Sequence, residues 1–111
     1  MVNHLPGISL IIAAYERSED LEKVILSLKS QGYRDFEILV ADDGSGPEVA
    51  KVIEKHSADF RFPIVHVWHE NKGFRKTVIV NKAADRARSD YLVFIDGDCI
   101  CHSRFLERPW I

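Results

Sequence analysis

The chain has 111 residues, 46% of them hydrophobic and 29% charged, with 15 Lys and Arg against 17 Asp and Glu. This length fits one domain with a buried core, and the apolar content excludes intrinsic disorder. A net charge of −2 gives no electrostatic reason to expect nucleic acid as a partner. No apolar run approaches the ~18 residues that cross a bilayer, so no transmembrane segment or signal peptide is expected. Because one residue separates Cys99 from Cys101, we expect no structural disulfide and a cytoplasmic location, with peripheral membrane association left open.

Apolar segments and helical patterns alternate along the whole chain. Segments typical of strands lie at 8–14, 36–41, 63–68 and 91–95; the first and the last are typical of buried strands, and the third has an alternating pattern. Three helices are predicted between them, with Ser18 as the N-cap of the first, Pro47 opening the second and Arg75-Lys76 opening the third. Their apolar faces are Leu21, Val24, Ile25 and Leu28, then Val49, Val52, Ile53 and His56, then Val80, Ala83, Ala84 and Ala87. This order predicts one α/β domain with a parallel sheet and helices on both faces.

Aspartates follow two of the predicted strands: Asp42 and Asp43 after the second, Asp96 and Asp98 after the fourth. Ligands of parallel sheets bind beyond the carboxyl ends of the strands. Four carboxylates there would repel one another unless a cation or hydrogen-bond donors relieve them. Mg²⁺ favours one or two carboxylates plus substrate phosphates. Asp96-Gly97-Asp98 is therefore a candidate metal and diphosphate site, in which Gly97 leaves room for a ligand. The alternative is a polar turn.

Other candidate residues have two interpretations each. Asp42 to Ser45 could form only a turn and a helix cap, but two successive acids exceed what a turn needs, and a carboxylate can accept the N–H of a pyrimidine base. Tyr15 could stack on a base or simply pack. Arg75 and Lys76 suit phosphates at a helix start, or could lie on a solvated helix face.

Several familiar sites are disfavoured. His66 and His69 should point to opposite faces of the third strand and sheet edge, so a metal pair is weak. Cys99 to His102 lacks a second ligand pair for zinc. No G-x-G-x-x-G follows the first strand and no G-x-x-x-x-G-K-[ST] occurs, which argues against a dinucleotide-binding dehydrogenase or a P-loop protein.

Four segments together resemble the nucleotide-sugar half of family 2 glycosyltransferases with the GT-A fold. They are Ala13-Ala14-Tyr15-Glu16-Arg17, Asp42-Asp43-Gly44-Ser45, Asn71-Lys72-Gly73-Phe74-Arg75-Lys76 and Phe94-Ile95-Asp96-Gly97-Asp98. The resemblance covers the chain from about Ile8 to about Phe105. It implies a Rossmann-like sheet of order 3-2-1-4, a nucleotide-diphosphate sugar such as a UDP-sugar as donor, a glycan or other hydroxyl acceptor, and Mg²⁺ or Mn²⁺.

The resemblance also implies roles for single residues. Asp43 would contact the base, Ala13, Ala14 and Tyr15 would line it, Arg75 would approach the ribose or phosphates, Asp96 would face the ribose or a metal-bound water, and Asp98 would ligate the metal. Glu16 would also contact the nucleotide, at a position where the family usually has Asn or a similar polar residue.

Family members need a second half that holds the acceptor and supplies a general base, an Asp or Glu that deprotonates the attacking hydroxyl in an inverting reaction. Only thirteen residues follow Asp98, and nothing supports Glu107 as the base. We therefore expect residues 1–111 to be the donor domain alone, unable to transfer sugar by themselves, with an exposed sheet edge that could self-associate as a homo-oligomer. The alternatives are a non-catalytic nucleotide-diphosphate-binding module that acts with a partner and, disfavoured by the D-x-D and the missing fifth strand, a receiver-like signalling domain.

Overall fold

The computed structural model of the chain describes residues 7–31, 35–59 and 63–97. Its elements, in chain order, are β1 (Ile8–Ala14), α1 (Ser18–Lys29), β2 (Phe36–Asp42), α2 (Pro47–Asp59), β3 (Ile64–Trp68), α3 (Lys76–Arg86) and β4 (Leu92–Asp96). All strand pairs are parallel, in the order β3-β2-β1-β4. The α/β fold class and the 3-2-1-4 order are confirmed. Asp98, the cysteine pair and Glu107 lie outside the described residues. Within the described ranges, no helix combines the length and apolar character needed to cross a bilayer.

The two central strands, β1 and β2, carry the core on both of their faces, as the runs of apolar residues predict. On one face, Leu10, Ile12 and Ile38 pack against α1 and α2. On the other face, Ile11 and Leu39 pack against α3. The sheet is therefore covered by helices on both sides, which is the layered arrangement expected of β-α-β units.

The predicted helix faces are largely confirmed. In α1 the four residues of the apolar stripe are buried, and in α2 Val49, Ile53 and His56 are buried while Val52 is partly buried. In α3, Ala83 is fully buried, and Val80, Ala84 and Ala87 are partly buried against the same cluster. Ile79, which the pattern missed, is fully buried beside Ala83. The small alanine side chain at 83 suits close packing of α3 on the sheet.

Two local expectations are wrong. Ser18 is the first helical residue of α1, and Arg17 is the N-cap, because the chain leaves β1 through two left-handed residues, Glu16 and Arg17, with φ of 52° and 53°. Strand β4 is not a buried strand. It lies at the edge of the sheet with β1 as its only paired strand among the described residues, and Phe94 is 55% exposed.

A buried carboxylate connects β1, β2 and the segment before β4 at the amino end of the sheet. Glu37 of β2 is 1% exposed and accepts hydrogen bonds from the Ser9 hydroxyl and from the backbone N–H and Nε of Arg88. The backbone N–H of Ser89 in turn donates to the Ser9 oxygen at 3.0 Å. These contacts tie the connection between α3 and β4 to the two central strands, which sets the position of β4 and of Asp96 at its far end.

The parallel register brings the carboxyl ends of the strands together. Ala14 pairs with Asp42, which pairs with Trp68, and Ala13 pairs with Asp96. Residues in register point to the same face. Asp42 therefore lies on the face covered by α1 and α2, and Asp96 on the face covered by α3. The candidate site residues of the sequence converge on this edge.

Candidate functional site

Asp43 directly follows β2, and both oxygens of its carboxylate accept hydrogen bonds from one loop. Oδ1 lies 2.6 Å from Nε2 of His69, and Oδ2 accepts the backbone N–H of Arg75 at 2.8 Å. The backbone N–H of Asp43 donates to the carbonyl of Ala14 at the end of β1. Asp43 is only 5% exposed. The carboxylate is therefore a buried acceptor held in a fixed plane.

The charge of Asp43 follows from these contacts. Burial acts to raise its pKa, but the hydrogen bonds from His69 and from the Arg75 N–H outweigh burial and hold the pKa below its usual 3.8. The carboxylate is therefore ionised at neutral pH. Because an ionised carboxylate only accepts hydrogen bonds, Nε2 of His69 is the ring nitrogen that carries the hydrogen.

Asp42, the neighbouring acid, serves a structural turn. It is fully buried, and its Oδ1 accepts the backbone N–H of Ser45 at 3.0 Å and also the Ser45 hydroxyl. Its Oδ2 lies 2.7 Å from Nε2 of His66. The turn interpretation is confirmed for Asp42 and Ser45, and the two successive acids have separate surroundings on opposite faces of the sheet. The predicted opposite orientation of His66 and His69 is confirmed by the same contacts.

Residues 69–75 form a loop between β3 and α3 that touches the loops after β1 and β2. The side-chain amide of Asn71 donates to the hydroxyl oxygen of Tyr15 at 3.1 Å, and its Oδ1 accepts the N–H of Gly73. Gly44 lies against the backbone of Asn71. Tyr15 is 53% exposed, so its ring is anchored at the hydroxyl while part of its surface is open to a ligand.

Glu16 ties the loop after β1 to the loop after β2. Its backbone N–H donates to the Ser45 hydroxyl oxygen at 2.6 Å, and its Oε1 accepts the N–H of Gly46 at 2.8 Å. These contacts give the side chain a structural role, and a contact with a nucleotide stays a prediction.

Arg75 acts on the site through its backbone. It is the N-cap of α3, and its N–H reaches Asp43 as described above. Its guanidinium Nη2 donates to the carbonyl of Glu70 at 2.8 Å, which folds the side chain back over its own loop. Its Nε is buried without a hydrogen-bond partner among the described residues. The expected contact of Arg75 with ribose or phosphates stays a prediction.

Lys76 and Asp96 form an ion pair at the carboxyl end of β4. Nζ of Lys76 lies 2.7 Å from Oδ1 of Asp96, with the two side chains 46% and 66% exposed. In the described residues, the repulsion expected among the strand-end acids is thus relieved by His66, His69 and Lys76.

The surroundings of Asp96 fit a metal contact. Its carboxylate is exposed, and it already attracts one cation, the ammonium of Lys76. Carboxylate oxygen is also the ligand type that Mg²⁺ prefers. Within the described ranges, no group of three or more His, Cys, Asp or Glu side chains could hold a metal ion. Asp98, the predicted ligand, lies outside those ranges.

Gly97 follows Asp96 directly. A Cβ atom at Gly97 would lie 2.8 Å from the carbonyl oxygen of Ala13. The close neighbour seen here is therefore the backbone of β1, and the room that Gly97 was expected to leave for a ligand stays a prediction.

Two cavities lie at this edge of the sheet. One, of about 130 Å³, is lined by Ala13, Ala14, Tyr15, Glu16 and Gly97 among others, so it brings together four predicted site residues. The second, of about 320 Å³, lies between α3 and β4 and includes Lys76, Phe94 and Asp96 in its wall. A larger cavity of about 490 Å³ lies at the starts of α1 and α2. Its lining includes Glu19, Asp20 and Glu48, which would repel a diphosphate.

His69 is the site residue that sequence reasoning missed. It follows the alternating third strand by one position, and a single histidine there carries no motif. A signal was present in the pairing of two successive aspartates with two histidines, His66 and His69. Only the register of β2 with β3 shows that each aspartate meets one histidine.

The described residues form a layered α/β domain whose candidate site lies at the carboxyl edge of a parallel sheet, and comparison with known families identifies its family. The sequence profile of glycosyl transferase family 2 matches residues 9–109. The chain therefore belongs to this family.

The curated relatives include proteins named as glycosyltransferases. The chain is 29% identical over 110 residues to "Glycosyltransferase AglE" of Haloferax volcanii, covering 97% of this chain and 36% of that protein. It is 31% identical over 99 residues to the poly-beta-1,6-N-acetyl-D-glucosamine synthase of Staphylococcus aureus, covering 89% of this chain and 23% of that protein. The chain thus spans about a third or less of the length of these relatives.

Solved structures share the fold. S. aureus TarS residues 1–349 in complex with UDP-GlcNAc superimposes with a TM-score of 0.80 at 22% identity, covering 93% of this chain and 30% of that one. The mannosyltransferase PcManGT from Pyrobaculum calidifontis, in complex with GDP-Man and Mn²⁺, gives a TM-score of 0.79 at 19% identity, with 92% and 30% covered. At these identities, the likeness establishes the GT-A fold.

Proposed function

We propose that residues 1–111 form the donor-binding part of an inverting glycosyltransferase that takes a sugar from a nucleotide diphosphate, and that a UDP-sugar is the donor. The acceptor of the proposed reaction is a glycan or another hydroxyl compound. The observation that carries the proposal is Asp43: an ionised, buried carboxylate at the carboxyl edge of the sheet, whose backbone N–H donates to Ala14, the residue before the partly exposed Tyr15.

The surroundings of Asp43 suit a nucleobase. Uracil has one N–H at its pairing edge, and a carboxylate has about four lone-pair directions, of which the described protein contacts use two. Tyr15 offers an aromatic surface for stacking. Ala13 and Ala14 line the small cavity beside Tyr15 with side chains that leave room for a ring. Base recognition is therefore assigned to the ends of β1 and β2.

The diphosphate is assigned to the neighbouring end of β4. Arg75 and Lys76 stand at the start of α3, where a helix terminus and cations favour an anion. Asp96 and Asp98 would hold Mg²⁺ or Mn²⁺. When bound, such an ion supplies neutralisation of the charge that develops on the departing nucleotide diphosphate. Lys76, now paired with Asp96, would be free to turn toward the phosphates once another cation takes its place at the carboxylate.

Two structural neighbours contain ligands of the proposed class. The TarS structure contains UDP-GlcNAc and the PcManGT structure contains GDP-Man with Mn²⁺. Both superimpose on more than nine tenths of this chain, and this shared fold supports the same class of ligand for it.

A calorimetric titration tests the proposal. UDP, GDP and TDP are each added to the protein with and without Mn²⁺, and the expected result is binding of UDP that requires the ion. Asp43→Asn should weaken UDP binding, and Asp85→Asn, which changes an exposed acid on α3, is the matched control that should not. If none of the three diphosphates binds to the folded protein in the presence of Mn²⁺, the proposed function is wrong.

A further inference from the structure

His69 stands beside the proposed base acceptor, and no motif assigns it a role. We propose that His69 is a positioning residue of the nucleotide site, which fixes the direction of the Asp43 carboxylate so that its open lone pairs face the base of the donor. This inference rests on the proposed function, because it takes Asp43 as the group that accepts the N–H of the base.

Two hydrogen bonds fix the plane of the Asp43 carboxylate. The torsion that rotates an aspartate carboxylate about its last bond is broad, so a single hydrogen bond leaves the plane loosely defined. Asp43 has two donors, one on each oxygen: Nε2 of His69 at 2.6 Å and the N–H of Arg75 at 2.8 Å. Because His69 and Arg75 are the two ends of one loop, the carboxylate is held on both sides, and removal of either donor would free its plane.

The contact between His69 and Asp43 is buried. The side chains of His69 and Asp43 are 7% and 6% exposed, so water competes weakly for this contact. The other ring nitrogen of His69, Nδ1, is buried without a hydrogen-bond partner among the described residues. A hydrogen on Nδ1 would be buried with no acceptor there, which costs free energy. The ring is therefore held with its hydrogen on Nε2, aimed at Asp43.

The neighbouring pair shows what a purely structural contact looks like. His66 meets Asp42 at 2.7 Å, and Asp42 is fully buried with its other oxygen engaged by both the N–H and the hydroxyl of Ser45. Asp42 accepts three hydrogen bonds, two from Ser45 and one from His66, and it has no exposed surface through which a ligand could reach it. Asp43 has one donor on each oxygen, so it keeps capacity for a ligand. His66 lies in β3 and His69 directly follows it, and each contacts one aspartate. Only His69 contacts the aspartate that keeps capacity for a ligand.

The experiment compares UDP with an analogue methylated at N3 of uracil, which lacks the N–H that Asp43 would accept. In the native protein the methyl group should weaken binding by about tenfold or more, as expected for a lost hydrogen bond to a charged group. His69→Leu should remove most of this discrimination. His69→Gln, whose amide can still donate to Asp43, should restore part of it. His66→Leu, the matched control, should lower the melting temperature without changing the ratio of the two affinities.

A second readout needs no ligand. Titration of the Asp43 carboxyl carbon by NMR in the free protein should show a higher pKa in His69→Leu than in the native protein, because the variant keeps the burial and loses the hydrogen bond. An unchanged Asp43 pKa in a folded His69→Leu variant would overturn the inference.

The outcomes separate the inference from the proposed function. If native protein discriminates against the methylated analogue and His69→Leu discriminates equally well, the positioning role is wrong and the proposed function stands. If the native protein binds neither compound, or binds both equally, the assignment of Asp43 to the base is wrong, and the inference about His69 is overturned with it.

Discussion

Gly44 lies directly against the backbone of Asn71: a Cβ atom on Gly44 would come within 2.5 Å of the Asn71 Cα. Gly44 follows Asp43, and Asn71 lies midway along the loop from His69 to Arg75. The absence of a side chain at position 44 therefore lets the loop after β2 and the loop after β3 meet. This contact and the two hydrogen bonds on Asp43 hold the same pair of loops together.

Gly44→Ala is expected to destabilise the protein and to weaken UDP binding. Gly44 has a φ of +84°, and the new methyl group would also collide with backbone atoms that cannot turn away. Gly73→Ala is the matched control, because Gly73 has a φ of +88° but no heavy atom within 4 Å of the new Cβ. Left-handed backbone alone costs an alanine about 1–2 kcal/mol. Urea unfolding should show a larger loss of free energy for Gly44→Ala than for Gly73→Ala. Equal losses would mean that the contact with Asn71 relaxes freely.

The Tyr15 ring should contribute more to donor binding than its hydroxyl. Tyr15→Ala removes the surface on which a base could stack, and such stacking is worth about 1–3 kcal/mol per base. Tyr15→Phe keeps the ring and loses only the hydrogen bond from Asn71. We expect UDP affinity to fall by about tenfold or more in Tyr15→Ala and to change little in Tyr15→Phe, as measured by calorimetry. A larger effect of Tyr15→Phe would instead assign the binding contribution to the Tyr15–Asn71 contact.

The helix faces were predictable from the sequence because they depend on local periodicity, whereas the strand order was implied by the family resemblance. Leu21, Val24, Ile25 and Leu28 repeat with the period of a helix, and all four are buried. The exposure of Phe94 was not predictable in the same way, because an apolar strand shows the same pattern at the centre and at the edge of a sheet. Its burial is decided by what packs over it in the folded chain, and β4 lies at the edge of the sheet with one paired strand among the described residues.

The positions of the acidic residues in the site were predictable from the sequence, and their hydrogen-bond partners were not. Asp43 could be located because it follows an apolar strand, and alternation places Asp42 and Asp43 on opposite faces, but the sequence does not show which histidine each of them meets. Those partners follow from the register of β2 with β3. The role of Ser18 was mistaken for a similar reason, since the left-handed backbone at Glu16 and Arg17 depends on contacts with Ser45 and Gly46 that are distant in sequence.

The pKa of Asp43 predicts an acid-dependent loss of stability. The folded-state pKa is below the ordinary value of 3.8, so at low pH the unfolded chain binds more protons than the folded one. The stabilisation is complete above the ordinary value and is lost as the pH falls through the lower folded value. The free energy of unfolding of Asp43→Asn should therefore vary less with pH below about 4 than that of the native protein.

Glu22 provides the comparison for this acid dependence. Its pKa is also lowered, first by the hydrogen bond from Lys55 and then by that from His56. Glu22→Gln should flatten the acid part of the stability curve in the same direction and leave UDP binding unchanged. If Asp43→Asn retains the full pH dependence of the native protein while Glu22→Gln removes it, the hydrogen bonds on Asp43 do not stabilise its ionised form.

Nucleotide-diphosphate binding should depend on a divalent metal ion, and Lys76 should report on it. Asp96 follows β4 with its carboxylate exposed and paired with the ammonium of Lys76. A divalent ion at this carboxylate carries twice the charge of that ammonium and should displace it. Chelation with EDTA should therefore weaken UDP binding strongly, and Asp98→Ala should weaken it at least as much.

Lys76→Met should strengthen Mn²⁺ binding in the absence of nucleotide, because a competing cation is removed, and should weaken the diphosphate complex, because a phosphate contact is lost. Thr77→Val, at the next and exposed position of α3, is the control and should change neither quantity. UDP affinity that is the same with EDTA and with Mn²⁺ would overturn the metal assignment, and Mn²⁺ affinity unchanged in Lys76→Met would show that the ion does not bind at Asp96.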